Sequence, residues 1–329
     1  METQSGSRSI DHTLGRLLGV ACCALAFVVA AASSAHAGSI VGFVHTTSAD
    51  NISGSFTELD HPLLNDHPHA RVLVTQAWNY VAGQGGQNDR AIGVRYDVDY
   101  LGNGRWSIFN QDLVYAMEEG LVFHVVVLGE DTASFLHLAS YDSIQNIASV
   151  VHCPPDFVDV CNGLGGPILH SHTLDADGLR GARMLTPTSA FYSSPSLLVR
   201  AESTDPDNYP NMRPGSLYWI LAGGLEDDGE LVFQHTATAA NTSAWATTLD
   251  DPRLNGNPNA ILFVSRIGAP GPTLEERIGL LYANDGTNDV WSVIHETTEP
   301  IPEGASFGVF VAPLLSDGFE SGDTSWWSQ

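Results

Sequence analysis

Two histidines separated by a single residue, His170 and His172, form the clearest metal-ligand pattern in the chain. In a β-strand, alternate side chains lie on the same face, so both imidazoles could reach one ion. Imidazole nitrogen is a common ligand of zinc and related metals. The spacing also arises in strands that bind nothing, so His170 and His172 are candidate metal ligands with an ordinary strand as the alternative.

An acidic turn offers a second candidate site, built from oxygen ligands. Asp97, Asp99 and Asn103 have the spacing of part of a calcium-binding loop. The glycine and the distal glutamate that complete such a loop are misplaced, and acidic turns are mostly solvated turns. The sequence therefore predicts no cofactor, with calcium at this hairpin as the alternative.

The chain lacks the usual catalytic motifs. It has no Gly-x-Ser-x-Gly elbow and no phosphate loop, and His295-Glu296 is not followed by the second histidine of a zinc protease. We therefore predict no catalytic residue and a non-enzymatic role in binding or structure. The alternative is a carbohydrate-binding or carbohydrate-active protein, in which tryptophans stack on sugars and Glu118 and Glu119 act as acid and base.

The remaining histidines fall into two groups. His45, His137 and His235 each open a repeated segment, which favours a hydrogen-bonding role in the fold over a role as ligands. A second group clusters between residues 61 and 69, and its members are His61, His67 and His69. A later copy of that segment has Asp and Asn instead, so the module folds without these three imidazoles.

The chain repeats itself, and the repeat predicts its organisation. The segment 43–46 returns as 233–236, and Trp106-Ser107 returns as Trp291-Ser292. The glycines that close each unit lie at 120, 215 and 304, a spacing typical of an array of small domains. The predicted modules are 40–129, a divergent middle copy at 130–225, and 228–314.

Short apolar runs rich in Val, Ile, Phe, Tyr and Trp, bounded by Gly, Asn, Asp and Pro, indicate β-strands throughout. Six strands per unit leave no room for crossover helices, so the sheets should be antiparallel. We expect an all-β fold, a tandem array of three small antiparallel β-sandwich or barrel modules. Trp106 and Trp291 alternate with polar neighbours and should face the cores.

The first 37 residues have the pattern of a secretory signal peptide. An apolar run from 17 to 32 precedes an Ala-x-Ala sequence that ends at Ala37. Export would leave Cys153 and Cys161 as the two cysteines of the mature chain, and an even pair in an exported protein predicts a disulfide. A metal site that uses His152 with the two thiolates is the alternative.

Composition restricts the partners of the mature chain. The formal net charge is −25 and every basic residue is arginine. A strongly acidic surface repels phosphate backbones, so nucleic-acid binding is disfavoured. No later segment is long and apolar enough to predict a transmembrane span. The expected partner is an unknown extracellular ligand, either a protein or a glycan.

The repeated phrases together resemble a set of secreted bacterial β-domain repeats that is known only as a domain of unknown function. The resemblance covers the first and last modules well and the middle one poorly, and it implies no activity or ligand. The acidic, aromatic tail at 315–329 resembles a terminus found on many exported proteins of Gram-negative bacteria. The two resemblances imply a protein that is secreted or located in the cell envelope.

Overall fold

The computed structural model describes residues 40–313, apart from gaps at 98–103, 130–131, 133, 146, 159–166, 177–178, 194–195, 203–211, 223–231, 269–273, 275 and 287. The predicted signal peptide and the tail therefore lie outside the described residues. Cys161 does too, so the Cys153–Cys161 disulfide stays a prediction. Asp99 and Asn103 of the candidate calcium loop fall in one of the gaps, and the Asp97 side chain is not described.

The first module is built from short strands separated by turns. Its seven strands are Val41–Thr46 (β1), Ile52–Ser53 (β2), Phe56–Leu59 (β3), Arg71–Asn79 (β4), Ile92–Asp97 (β5), Arg105–Asn110 (β6) and Val122–Leu128 (β7). Three of them pair in the order β1-β7-β4, and the other four pair in the order β2-β3-β6-β5. We call the three-stranded part the inner half-sheet and the four-stranded part the outer half-sheet.

The last module repeats this arrangement. Its strands are Val232–Thr236 (β17), Thr242–Ser243 (β18), Ala246–Thr248 (β19), Ile261–Ile267 (β20), Ile278–Asn284 (β21), Asp289–His295 (β22) and Ser306–Ala312 (β23). The inner half-sheet is β17-β23-β20 and the outer half-sheet is β18-β19-β22-β21.

The middle module has the same plan with one additional hairpin. Its strands are Ser134–Leu138 (β8), Ile144–Gln145 (β9), Ala148–Val150 (β10), Ile168–Thr173 (β11), Asp175–Ala176 (β12), Leu179–Arg180 (β13), Thr188–Ser193 (β14), Ser196–Ala201 (β15) and Leu217–Ala222 (β16), with a short 3₁₀ turn at Pro155–Phe157. The inner half-sheet is β8-β16-β11, the outer half-sheet is β9-β10-β15-β14, and β12 pairs with β13.

Each module is a small sandwich whose two half-sheets enclose an apolar core. In the first module, Trp106 on the outer half-sheet and Phe123 on the inner one lie in the same fully buried cluster. The same cluster forms around Trp291 and Phe307 in the last module. The all-β, sandwich-like fold class is thereby confirmed, and none of the described sheets closes into a barrel.

The modules are not independent domains, because each of the three seven-stranded sheets contains strands of two modules. Parallel pairing joins β4 to β21, β5 to β11, and β14 to β20. Each of the three seven-stranded sheets therefore combines the inner half-sheet of one module with the outer half-sheet of another. The β4–β21 pairing joins the first module to the last, so the three modules form a closed ring with pseudo-threefold symmetry.

A fourth apolar cluster fills the axis of this ring. All of its buried members come from the inner half-sheets, and each module contributes: Leu73, Val126 and Leu128; Leu169, Trp219 and Leu221; and Ile261, Phe263, Phe310 and Ala312. An inner half-sheet is thus buried on both faces, one against its own module and one against the axis. This explains why β7 and β23 are mostly apolar and buried at every position instead of alternating between buried and exposed residues.

The middle module has no Trp-Ser phrase, yet it keeps the strand that carries this phrase in the other two modules. β15 occupies the position and pairs with β14 and β10. Leu197 lies opposite Tyr192, just as Trp106 lies opposite Tyr96. Leu197 is fully buried. A leucine therefore replaces the tryptophan, and the strand itself is retained.

The three closing glycines have the same backbone role. Gly120, Gly215 and Gly304 all adopt positive φ, at 81°, 91° and 87°. Each N–H donates to a carbonyl just beyond the first inner strand, on Thr47, Ala139 and Ala237 respectively. Positive φ is a conformation that residues with a Cβ rarely adopt, which accounts for the glycine in all three copies.

Candidate functional site

A polar cavity of about 150 Å³ lies on the pseudo-threefold axis, beyond the axial apolar core. The carboxyl-terminal halves of β4, β11 and β20 form its floor, and three loops form its walls, namely 88–92, 184–188 and 274–278. Each module supplies one of these strands and one of these loops. The cavity therefore exists only when all three modules are assembled.

A ring of hydrogen bonds around the cavity ties each module to the next. Gln111, Glu202 and Glu296 occupy equivalent positions at the ends of β6, β15 and β22. Each side chain accepts a hydrogen bond from a backbone N–H in the wall loop of the following module. Gln111 accepts from Met184 N at 2.6 Å, Glu202 from Leu274 N at 3.0 Å, and Glu296 from Asn88 N at 3.4 Å. These contacts place a carboxylate or carboxamide beside each wall of the cavity.

Hydroxyl groups make similar contacts between modules deeper on the axis. Ser265 Oγ accepts a hydrogen bond from the His170 backbone N–H at 3.2 Å, and Thr75 Oγ1 accepts one from Val264 N at 3.0 Å. These bonds satisfy strand N–H groups that would otherwise be buried without partners. They form a polar layer between the apolar axial core and the cavity.

The two glutamates of the ring differ in their electrostatics. Glu202 is paired with Arg200 at 2.8 Å and also accepts a hydrogen bond from the Ser189 hydroxyl. At the position of Ser189 the last module has Gly279, which lies against Glu296. Burial raises the pKa of Glu296 to about 8. At neutral pH this carboxyl is therefore mostly protonated and can donate a hydrogen bond.

Arginines supply the positive charge at the cavity. Burial lowers the pKa of Arg266 to about 10, which still leaves it charged at pH 7, and its Nη1 donates to the carbonyls of Ile267 and Ser306. Arg277 donates from Nη2 to the Leu185 carbonyl at 3.2 Å. Arg90 lies 3.6 Å from the ring centroid of Tyr115 and pairs with Asp89 at 2.8 Å.

His170 and His172 both line the cavity, on alternate positions of β11 that share one face, and both rings pack against Tyr218. Their Nε2 atoms are engaged, with Thr188 Oγ1 and with the Ala182 carbonyl respectively, both at 2.9 Å. Burial lowers the pKa of both imidazoles to about 4, so both are neutral at pH 7. Their Nδ1 atoms are buried without a hydrogen-bond partner among the described residues.

No group of three or more possible metal ligands occurs in the part of the chain that the structure describes. The metal role of His170 and His172 therefore stays a prediction, as does calcium binding by Asp97, Asp99 and Asn103. The cluster of three histidines is dispersed: His61 stacks on Phe43 with ring centroids 4.3 Å apart, while His67 and His69 are exposed turn residues.

The three shared histidines have the structural role that the repeat suggested. His45, His137 and His235 bond through Nε2 to a hydroxyl of Thr57, Ser149 or Thr247, at 2.7, 2.9 and 2.8 Å. The first and last of these hydroxyls donate onward to an asparagine Oδ1, so the imidazole is the donor in those pairs. The bond links the two half-sheets inside each module.

The tryptophans divide into buried and partly exposed residues. Trp106 and Trp291 are 0% and 1% exposed, and each donates from Nε1 to a turn carbonyl, of His67 or Asn257. Sugar stacking on these two rings is therefore impossible. Trp78 is half-buried next to exposed Tyr80, and their rings meet at 73°. Glu118 and Glu119 are exposed on a turn.

Sequence reasoning found only the histidines of this cavity. Glu202 and Glu296 each follow the strand that corresponds to the Trp-Ser phrase, and comparison of the repeats could have singled them out. Arg90 and Arg277 sit in loops that differ between the copies, Arg266 lies on β20, and nothing in the sequence links the three. Their proximity depends on the ring closure, which local patterns do not reveal.

Among the described residues no helix is long and apolar enough to cross a bilayer. No curated protein and no solved structure matches the chain. A family described as a domain of unknown function (DUF7452) matches residues 24–127 and again 206–311, which together make up more than half of the chain. The two matches cover the first module and, with the end of the middle one, the last module, and the chain belongs to that family.

Proposed function

We propose that this chain is an exported, non-enzymatic β-repeat protein of the cell envelope or the extracellular space, and that it binds a small polar ligand in the axial cavity. The observation that carries the proposal is the cavity itself, which is bounded by equivalent loops and side chains from all three modules. Concave sites with a few convergent polar groups are the usual ligand sites of proteins.

The chemistry of the lining favours binding over catalysis. Both cavity imidazoles are neutral and hold their Nε2 atoms in hydrogen bonds, and the ring of Gln111, Glu202 and Glu296 is engaged with backbone N–H groups. These groups are fixed in place by the fold. A rigid, pre-formed set of donors and acceptors lowers the entropic cost of binding.

Export is supported by the sequence alone. The apolar run at 17–32 followed by Ala37 has the pattern of a cleaved signal peptide, and a net charge of −25 suits a soluble exported protein. The tail at 315–329, with its resemblance to termini of exported proteins, fits the same location.

A thermal-shift screen of the mature protein tests the binding proposal. The panel contains neutral monosaccharides, uronic acids, hydroxy acids, amino acids and inorganic phosphate. A ligand at about 100 times its dissociation constant should add roughly 2.7 kcal/mol of stability and raise Tm by several degrees.

A variant that fills the cavity identifies the site. Thr186→Trp places a large side chain in a wall loop and should abolish the shift, whereas Ala239→Trp puts the same ring on an exposed turn and should retain it. A ligand that stabilises Thr186→Trp as much as the natural protein binds elsewhere, and the cavity is then not the site.

A carbohydrate-binding role on the outer surface is the second candidate. Tyr80 is 67% exposed beside half-buried Trp78, and exposed aromatic rings are typical sugar-stacking groups. A glycan array probed with the natural protein and with Tyr80→Ala tests this role. Binding that survives the Tyr80 substitution unchanged would rule out this surface.

A further inference from the structure

We propose that the axial cavity selects a small hydroxylated carboxylate, the chemical class of uronic acids and hydroxy acids. The inference rests on the proposed function and deepens it by naming the ligand class. It follows from the arginines of the lining and from two buried nitrogens, Arg277 Nε and His170 Nδ1, that have no hydrogen-bond partner among the described residues.

Three arginines line the cavity in an otherwise strongly acidic chain. They are Arg90, Arg266 and Arg277, and the lining also includes Glu276 and Glu296. Burial raises the pKa of Glu296 to about 8, so this carboxyl is mostly neutral at pH 7. Arg90 is paired with Asp89, and Glu202 lies close enough to Arg266 to oppose the lowering of its pKa.

Arg277 is the group best placed to bind the carboxylate. Arg90 is held by Asp89 at 2.8 Å and by Asp112 at 3.7 Å. Among the described residues, Arg277 donates to the Leu185 carbonyl, and its buried Nε has no hydrogen-bond partner. The carboxylates near Arg277 act on its charge without accepting a hydrogen bond from Nε. A buried guanidinium N–H without an acceptor is costly, and a ligand oxygen would satisfy it.

His170 explains why the ligand should also carry a hydroxyl. Its Nε2 bonds to Thr188 Oγ1, while its buried Nδ1 has no partner among the residues described. Depending on the tautomer, Nδ1 is either a donor or an acceptor. A hydroxyl can serve as either, whereas a fully ionised sulfate can only accept. The imidazole and the arginine together therefore match a molecule with both groups.

The volume of the cavity fits a ligand of this size. One water molecule needs about 10–15 Å³ of cavity volume, so the cavity volume of about 150 Å³ has room for roughly ten or more waters. A monosaccharide acid occupies space of this order, and a longer glycan would have to extend out of the mouth.

Isothermal titration of the mature protein with D-galacturonate, D-glucose and sodium sulfate tests the assignment. Galacturonate should bind at least tenfold more tightly than either of the other probes. Arg277→Gln should weaken galacturonate binding at least tenfold, and Arg277→Lys, which keeps the charge but lacks the Nε–H donor, should weaken it by a smaller factor. Arg253→Gln is the matched control, because Arg253 precedes β20 at the end opposite the cavity, and it should change affinity less than twofold.

The possible failures are distinguishable. If glucose binds as tightly as galacturonate and Thr186→Trp abolishes both, the cavity is a ligand site but the carboxylate assignment is wrong. If galacturonate does not bind, or if Arg277→Gln binds it normally while its melting temperature is unchanged, the ligand class is wrong. If galacturonate binds the Thr186→Trp variant normally, the proposed site itself is wrong.

Discussion

Lowering the pH from 6.5 towards 4 should unfold the protein at 25 °C. Burial lowers the pKa of six histidines to about 4, from an ordinary value of 6.5: His45, His124, His137, His170, His172 and His235. Their neutral forms stabilise the fold fully above pH 6.5, and that contribution is lost as the pH falls through 4, because the unfolded chain binds protons that the folded chain does not.

The expected effect is large. At pH 5 each such histidine lowers the free energy of unfolding by about 2 kcal/mol relative to neutral pH. The six together therefore remove an amount comparable to the whole free energy of unfolding of a typical protein, which is about 5–15 kcal/mol. Glu296 has the opposite effect, because burial raises its pKa to about 8. The stability that its protonated form provides is fully present below pH 4.5 and is lost as the pH rises through 8. One carboxyl does not offset six imidazoles.

Urea unfolding followed by circular dichroism between pH 7.5 and 4.5 measures this dependence. His235→Gln, which keeps a donor for Thr247, should reduce the number of protons taken up on unfolding by about one. His67→Gln changes an exposed histidine and should leave it unaltered. A free energy of unfolding that stays constant over this pH range would show that the histidines are not buried as described.

Replacing a core tryptophan should have the second largest effect. Trp291→Ala should cost about 3–5 kcal/mol of stability, the usual loss for a large buried aromatic side chain. The ring is 1% exposed and packs against Tyr282 with centroids 5.1 Å apart. Its Nε1 also donates to the Asn257 carbonyl at 2.8 Å, so truncation leaves that turn without a partner.

Chemical denaturation of Trp291→Ala and Trp106→Ala measures the loss, with Trp78→Ala as the half-buried control. The control should lose less than either core variant. Full stability of Trp291→Ala combined with a loss of ligand binding would reassign this residue from the core to a binding surface.

The sequence predicted most strands because local patterns determine them. The apolar runs at 105–110 and 306–312, which predict strands from the sequence, form β6 and β23. The two-residue strands β2 and β18 were missed because they are too short to show any period. Comparison of the copies identified Trp106, Trp291 and the closing glycines without any alignment.

The ring closure could not be predicted from such patterns. It depends on parallel pairing between modules, such as β4 with β21, which joins segments about 200 residues apart. The inner strands are buried on both faces, but in the sequence they look the same as strands that belong to a single sandwich. The axial cavity could not be predicted for the same reason. The spacing of His170 and His172 indicates a possible site, but Arg277 and Glu296 come close to them only when the ring is assembled.

Differential scanning calorimetry of the mature protein tests the central claim, that three modules form one closed unit around an axial cavity. Shared sheets and a common axial core predict a single transition with equal calorimetric and van't Hoff enthalpies. Trp291→Ala, in the last module, should shift that whole transition to lower temperature. A separate peak for the last module that moves in Trp291→Ala while the remainder melts as before would contradict the closed ring, and with it the cavity that depends on it.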